Sequence, residues 1–142
     1  MKLSNMAKTL TLSALLGLAF TGAAHAASCS NATLKGTYSD QDTGTIVGVG
    51  PFVGVNLDIF DGKGHLGISG ISSLNGTVSS GTETGTYQVN PDCTGTYSVS
   101  GGGVTIDGFF VIDQNGNELQ VVITDAGTVI NCVARKQFPS GE

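Results

Sequence analysis

The triplet Gly-Thr-Tyr recurs at residues 36–38, 85–87 and 95–97, and it holds all three tyrosines of the chain. In an extended strand, residues two apart share a face. Each triplet therefore sets a glycine and a tyrosine ring on one side and a threonine on the other. Glycine inside a strand marks a sharp bend or the close approach of another group. Three such strands predict one strongly curved sheet, filled on one face by aromatic rings.

Beyond the N-terminal segment almost nothing reads as helix, and Gly, Thr, Val, Ile and Ser dominate. Apolar residues alternate, and turn signals interrupt them at short intervals, the pattern of antiparallel β structure. Strands are expected near 33–40, 52–60, 65–74, 83–90, 93–100, 104–113, 118–124 and 128–136. Asp61-Gly62-Lys63-Gly64, Pro91-Asp92 and Asn115-Gly116 are among the turns between them. Short links favour an up-and-down meander. With no helix to cover an apolar face and two edges to protect, closure solves both problems. The expected fold is all-β: a closed eight-stranded antiparallel up-and-down barrel, with a Greek-key sandwich as the alternative.

Two registers suit the second and third triplets. In the first, Tyr87 lies over Gly95 and Tyr97 over Gly85, each ring covering bare backbone on the neighbouring strand. In the second, Tyr87 faces Tyr97. Alternation places Val53, Val55, Leu57 and Ile59 inward, with Phe52 and Phe60 outward. It also places Val104, Ile106, Phe110 and Ile112 inward, with Phe109 and Val111 outward. Tyr38, Tyr87, Tyr97, Val55, Leu57 and Phe110 are thus the candidate lumen residues for a small apolar ligand. The outward apolar residues would form a homo-oligomer interface or lie beneath loops or the N-terminal segment.

The N-terminus reads as a targeting segment. Lys2 and Lys8 precede an apolar stretch, 10–20, too short to span a bilayer as a helix, and Ala24-His25-Ala26 fits a signal-peptidase site. Residues 1–26 are expected to be a bacterial signal peptide and 27–142 a single exported barrel domain, secreted or periplasmic. No later segment suggests a transmembrane helix. The competing reading is a lipoprotein acylated at Cys29, but Ala26 stands where such a signal usually has Leu. The exported part holds Lys35, Lys63, Arg135 and Lys136 against eleven carboxylates. That balance leaves no basic patch for nucleic acid.

Three cysteines remain after export: Cys29, Cys93 and Cys132. In an up-and-down barrel the N-terminus and the turn before Cys93 share one end, whereas Cys132 sits inside the last strand. A Cys29–Cys93 disulfide is expected, drawing the N-terminal segment across that end. Acylation of Cys29 would leave Cys93 and Cys132 as the pair.

Few residues suggest chemistry. His65, the one histidine outside the targeting segment, follows a tight turn and reads as exposed. No short metal-ligand spacing occurs, and no cofactor or metal is expected. The run 113–118 places oxygen ligands as a calcium loop does, but it lacks the glycine and distal glutamate and reads as a hairpin. Asp58 and Asp61 read as turn residues, Asp107 as solvated, and no carboxylate pair stands out.

Taken together, Gly36-Thr37-Tyr38, Phe60-Asp61-Gly62-Lys63-Gly64, Gly85-Thr86-Tyr87 and Asp92-Cys93-Thr94-Gly95-Thr96 resemble a family of secreted bacterial proteins with an allene oxide cyclase barrel-like domain. The resemblance spans residues 29–137. It implies an eight-stranded barrel related in shape to lipocalins. The plant cyclases behind the name bind an unsaturated fatty-acid epoxide in an apolar lumen, use no cofactor and form trimers. None of their catalytic residues maps onto a position here. The functional expectation is a non-enzymatic exported barrel that binds a small apolar ligand or acts through its surface. The alternative is a cofactor-free isomerase or cyclase on a lipid-like substrate, with the three tyrosine hydroxyls as donors.

Overall fold

The computed structural model describes residues 28–138. The expected signal peptide, 1–26, lies outside the described residues. Eight antiparallel strands close into a barrel in sequence order: β1 (Gly36–Ile46), β2 (Gly50–Phe60), β3 (His65–Leu74), β4 (Thr77–Val89), β5 (Thr94–Gly101), β6 (Val104–Asp113), β7 (Glu118–Ile123) and β8 (Thr128–Lys136). The seam is a full ladder of β1 on β8, from Tyr38 opposite Lys136 to Ile46 opposite Thr128. The expected up-and-down barrel is therefore present.

Local chemistry sets the hairpins. Asn75 and Gly76 both have positive φ, 50° and 86°, as a two-residue turn between twisted strands requires. At the β2–β3 turn, Asp61 Oδ1 accepts from the backbone N–H groups of Lys63, Gly64 and His65 at 2.7, 2.9 and 2.9 Å. These bonds hold the Asp61 carboxyl below its ordinary range.

Two strands run further than alternation suggests. β1 continues beyond Asp40 through Gln41–Ile46, because that mostly polar stretch pairs with β2 on one side and β8 on the other. β4 starts at Thr77, where a Ser, Thr and Gly run pairs with β3. Neither stretch carries apolar periodicity; the backbone ladder alone makes it strand.

The predicted facing of β2 is reversed. Val53, Val55 and Ile59 are exposed, whereas Asp58 and Phe60 are buried. Directly opposed residues of an antiparallel pair share a face. Tyr38 points inward and is paired with Asp58, and Gly36 with Phe60, so the even-numbered residues of β2 must point inward too. Val55 and Leu57 lie on the opposite, outer face and do not belong to the lumen. β2 is apolar on both faces, so its own pattern cannot choose between them. The expected facing of β6 is observed, with Phe110 and Ile112 buried and Phe109 and Val111 exposed.

The second register is the one formed: Tyr87 faces Tyr97, Gly85 faces Val99 and Gly95 faces Val89. Rings do lie over glycines, but one strand further on. Gly95 is opposite Phe110 and Gly108 opposite Tyr97 across β5–β6, and a Cβ on either glycine would run into that ring.

One end of the barrel is sealed. A short 3₁₀ turn, Asn31–Leu34, lies across it, and Leu34 is fully buried. Asn31 accepts from the Val89 N–H through its side chain (2.8 Å) and from the Tyr87 hydroxyl through its carbonyl (2.9 Å). The Cys29–Cys93 disulfide anchors the segment as expected. Beneath it Tyr38, Phe60 and Tyr87 pack edge to face, with ring centroids 5.2 and 5.0 Å apart. The β1–β2, β3–β4, β5–β6 and β7–β8 turns surround the other, open end.

Candidate functional site

A cavity of about 720 Å³ occupies the open half of the barrel. Its wall carries Ile46, Phe52, Ile68, Val99, Ile106 and Ile130, from six different strands. Its floor is polar: Asp40 and Asp42 from β1, Asn56 from β2 and Tyr97 from β5. Serines and threonines of β3, β4, β6 and β8 complete the lining.

The strand period brings the acids together. Asp40 and Asp42 are two apart on the inward face of β1. Asn56 is the β2 residue opposite Asp40, and Cys132 the β8 residue opposite Asp42. Asp58 lies next along β2. Asp40, Asp42, Asp58 and Cys132 are only 7, 9, 6 and 3 % exposed. The Asn56 amide donates to Asp42 Oδ2 at 2.6 Å. Oδ1 of Asp40 and Oδ1 of Asp58 are buried with no hydrogen-bond partner among the described residues. Neither ion pair found among the described residues, His65–Asp61 and Arg135–Glu118, involves this cluster.

Burial without a countercharge shifts these groups. Asp58 is pushed up to about 8, first by desolvation and then by the negative charges of Asp40, Asp42 and Glu83. Asp40 is raised by desolvation and by Asp42, against an opposing hydrogen bond from Asn56. The Cys132 thiol and the Tyr97 phenol are likewise raised, mainly by burial and further by the surrounding carboxylates. At neutral pH the floor therefore holds part of its protons and can both donate and accept hydrogen bonds.

The sequence-predicted lumen residues divide among three places. Tyr97 borders the cavity. Tyr38, Tyr87 and Phe110 point inward but belong to the packed core beneath the floor. The Tyr38 hydroxyl donates to the Gly116 carbonyl at 2.5 Å, and burial pushes its pKa up to about 12. With Tyr87 bound to Asn31, two of the three hydroxyls serve the sealed end. Val55 and Leu57 are outside.

Other expectations resolve simply. The His65 side chain is exposed and paired with Asp61 at 2.9 Å. In the run 113–118, Glu118 is taken up by Arg135 and Gln120, both at 2.7 Å, and Gly116 by Tyr38. That run is a turn supporting the sealed end. The three lumen acids were missed because the first strand was expected to end at Asp40, leaving Asp42 outside it, and Asp58 read as a turn residue. The available signal was the two-residue spacing from Tyr38 to Asp40 to Asp42.

No protein-family model, curated protein or solved structure matches the chain. The identity that stands is architectural: an eight-stranded antiparallel β-barrel closed on itself, sealed at one end and open at the other.

Proposed function

We propose that the chain is an exported, non-enzymatic barrel that binds a small molecule with an apolar body and one polar end. The observation that carries this reading is the cavity of about 720 Å³, apolar along its wall and acidic at its floor. Ligand pockets of roughly 300–1,000 Å³ with mainly apolar linings and a few polar groups are the usual form of small-molecule sites. Export is supported by the targeting segment at 1–26 and by the disulfide, which persists in oxidising compartments.

The test is titration of the folded protein with N-phenyl-1-naphthylamine, an apolar fluorophore carrying one N–H donor. Saturable enhancement at one probe per chain is expected, and Val99→Phe, which fills the wall, should weaken it by about tenfold or more. Absence of saturable binding to folded protein removes the reading. The intact mass of protein recovered from the periplasm or medium tests export: cleavage after Ala26 is expected, without a lipid on Cys29.

A second reading, a cofactor-free isomerase on a lipid-like epoxide, follows the resemblance to the allene oxide cyclase barrel-like family. What favours it is Asp40, a carboxyl bordering the lumen and held toward its protonated form. Such a group can donate a proton to an opening epoxide oxygen near neutral pH. Under this reading Asp40→Asn lowers turnover of an unsaturated fatty-acid epoxide by about 10²-fold, and Tyr87→Phe leaves it unchanged. No turnover above the uncatalysed rate disposes of it.

A further inference from the structure

We propose that the barrel floor is a binding site for one divalent transition-metal ion of the zinc class, held by Asp40, Asp42 and Cys132 with its remaining position open to the lumen. One ligand atom from each of these residues lies within 4.8 Å of the other two, and all three side chains are buried. A zinc ion with oxygen and sulfur ligands at about 2.0–2.3 Å fits among three donors at that spacing after small side-chain adjustments. The positions are fixed by the ladder rather than by loops. Asp40 and Asp42 share the inward face of β1, and Cys132 is the direct partner of Asp42 on β8.

A cluster of acids is not by itself a site. The second observation is the state of the carboxylate oxygens. Asp40 is 7 % exposed, and its Oδ1 has no hydrogen-bond partner among the described residues. An unmet buried carboxylate oxygen costs free energy that a hydrogen bond, a proton or a cation must offset. Asp58 next to it has an unpartnered Oδ1 as well, so neither acid satisfies the other. Among the described residues no cationic side chain is paired with these three buried carboxyls or the thiol, and a dication would supply the missing countercharge.

The surroundings suit that role. The Asn56 amide holds Asp42 Oδ2 at 2.6 Å, the kind of outer-shell contact that orients a ligating carboxylate. Asp40 and Asp42 line the cavity, which supplies both an entry path and an open coordination position. Three protein ligands with an open fourth position characterise zinc sites that bind an exchangeable molecule. The thiol selects against calcium and magnesium, which take all-oxygen shells, and favours zinc or cobalt. On binding, the Cys132 S–H bond breaks, the thiolate bonds to the metal and the proton leaves to solvent; any proton on Asp40 leaves as well. The inference rests on neither functional reading, because it is read with metal alone.

The experiment is a titration of the untagged, disulfide-intact protein with Co²⁺ at neutral pH, followed by absorbance. A thiolate-to-cobalt charge-transfer band saturating at one equivalent is expected, bleached by one equivalent of Zn²⁺. Cys132→Ser should abolish the band, and Asp42→Asn should weaken Co²⁺ binding by at least about tenfold. Circular dichroism shows whether each variant is folded. Should Asp42→Asn fail to fold, Asp40→Asn replaces it, and the Cys132→Ser result stands alone. No charge-transfer band from folded wild-type protein overturns the proposal. So does a band that persists in Cys132→Ser.

Discussion

Asp58 links its own environment to the stability of the whole barrel. Its carboxyl titrates at 3.8 in an ordinary setting and at about 8 in the fold, because it is buried beside Asp40, Asp42 and Glu83. Below pH 3.8 it is neutral in both folded and unfolded chains, and the fold keeps its full stability. As pH rises toward 8, the unfolded chain releases a proton that the folded chain retains, so stability falls; above that the loss is complete. In chelator-treated protein, Tm is thus predicted to decline from mildly acidic to mildly alkaline pH. Asp58→Asn removes this titration and should raise Tm by about 10 °C or more at about pH 8.5, with little change near pH 4. A wild-type Tm that climbs over the same range would contradict the burial argument. Gly95 and Gly108 pose a steric test at the same scale. Ala at either meets the ring of Phe110 or Tyr97, and a cost of about 1–3 kcal/mol in chemical denaturation is expected for each.

At the scale of strands, the decisive quantity is which face points inward. β2 shows the limit of alternation as a guide. Phe52 and Phe60 sit on one face and four aliphatic residues on the other, so counting apolar residues selects the wrong side. Pairing carries the information instead: Tyr38 inward on β1 obliges Asp58 and Phe60 inward on β2. β6 has no such ambiguity, and its bounds and facing were legible directly. β1 and β4 were shortened in the sequence reading because Gln41–Thr45 and Thr77–Thr82 are polar. Their strand character comes from neighbours that are distant in sequence. The candidate floor was hidden for the same reason, since a lumen lined by acids inverts the apolar-inward rule. The facing is directly testable. Val55→Lys, on the exposed side, should change stability by no more than about 0.5 kcal/mol. Phe60→Ala, in the packed core between Tyr38 and Tyr87, should cost about 3–5 kcal/mol. Similar losses for the two variants would restore the opposite facing.

For the molecule as a whole, the sealed end is where stability is concentrated. The disulfide spans 64 residues of sequence, and with Asn31 it fastens the N-terminal turn over the aromatic cluster. Replacing both cysteines, Cys29→Ser with Cys93→Ser, is expected to lower stability by about 2–5 kcal/mol in urea unfolding. Ligand and metal binding to the folded fraction should survive, because the cavity and its floor lie on the far side of the core. The pairing itself was readable from sequence, since barrel topology places both cysteines at one end.

The opposite rim has a different character. Its connections, 47–49, 75–76, 102–103 and 124–127, are short, and glycines recur in them. Loops at exposed tips accept insertions far better than elements whose backbone is buried. The layout therefore separates a tightly packed base from an adjustable crown. New segments grafted into those four turns could reshape what enters the barrel while the disulfide, the aromatic cluster and the acidic floor remain untouched. For a protein engineer the chain is a compact barrel scaffold whose rim and base can be altered separately.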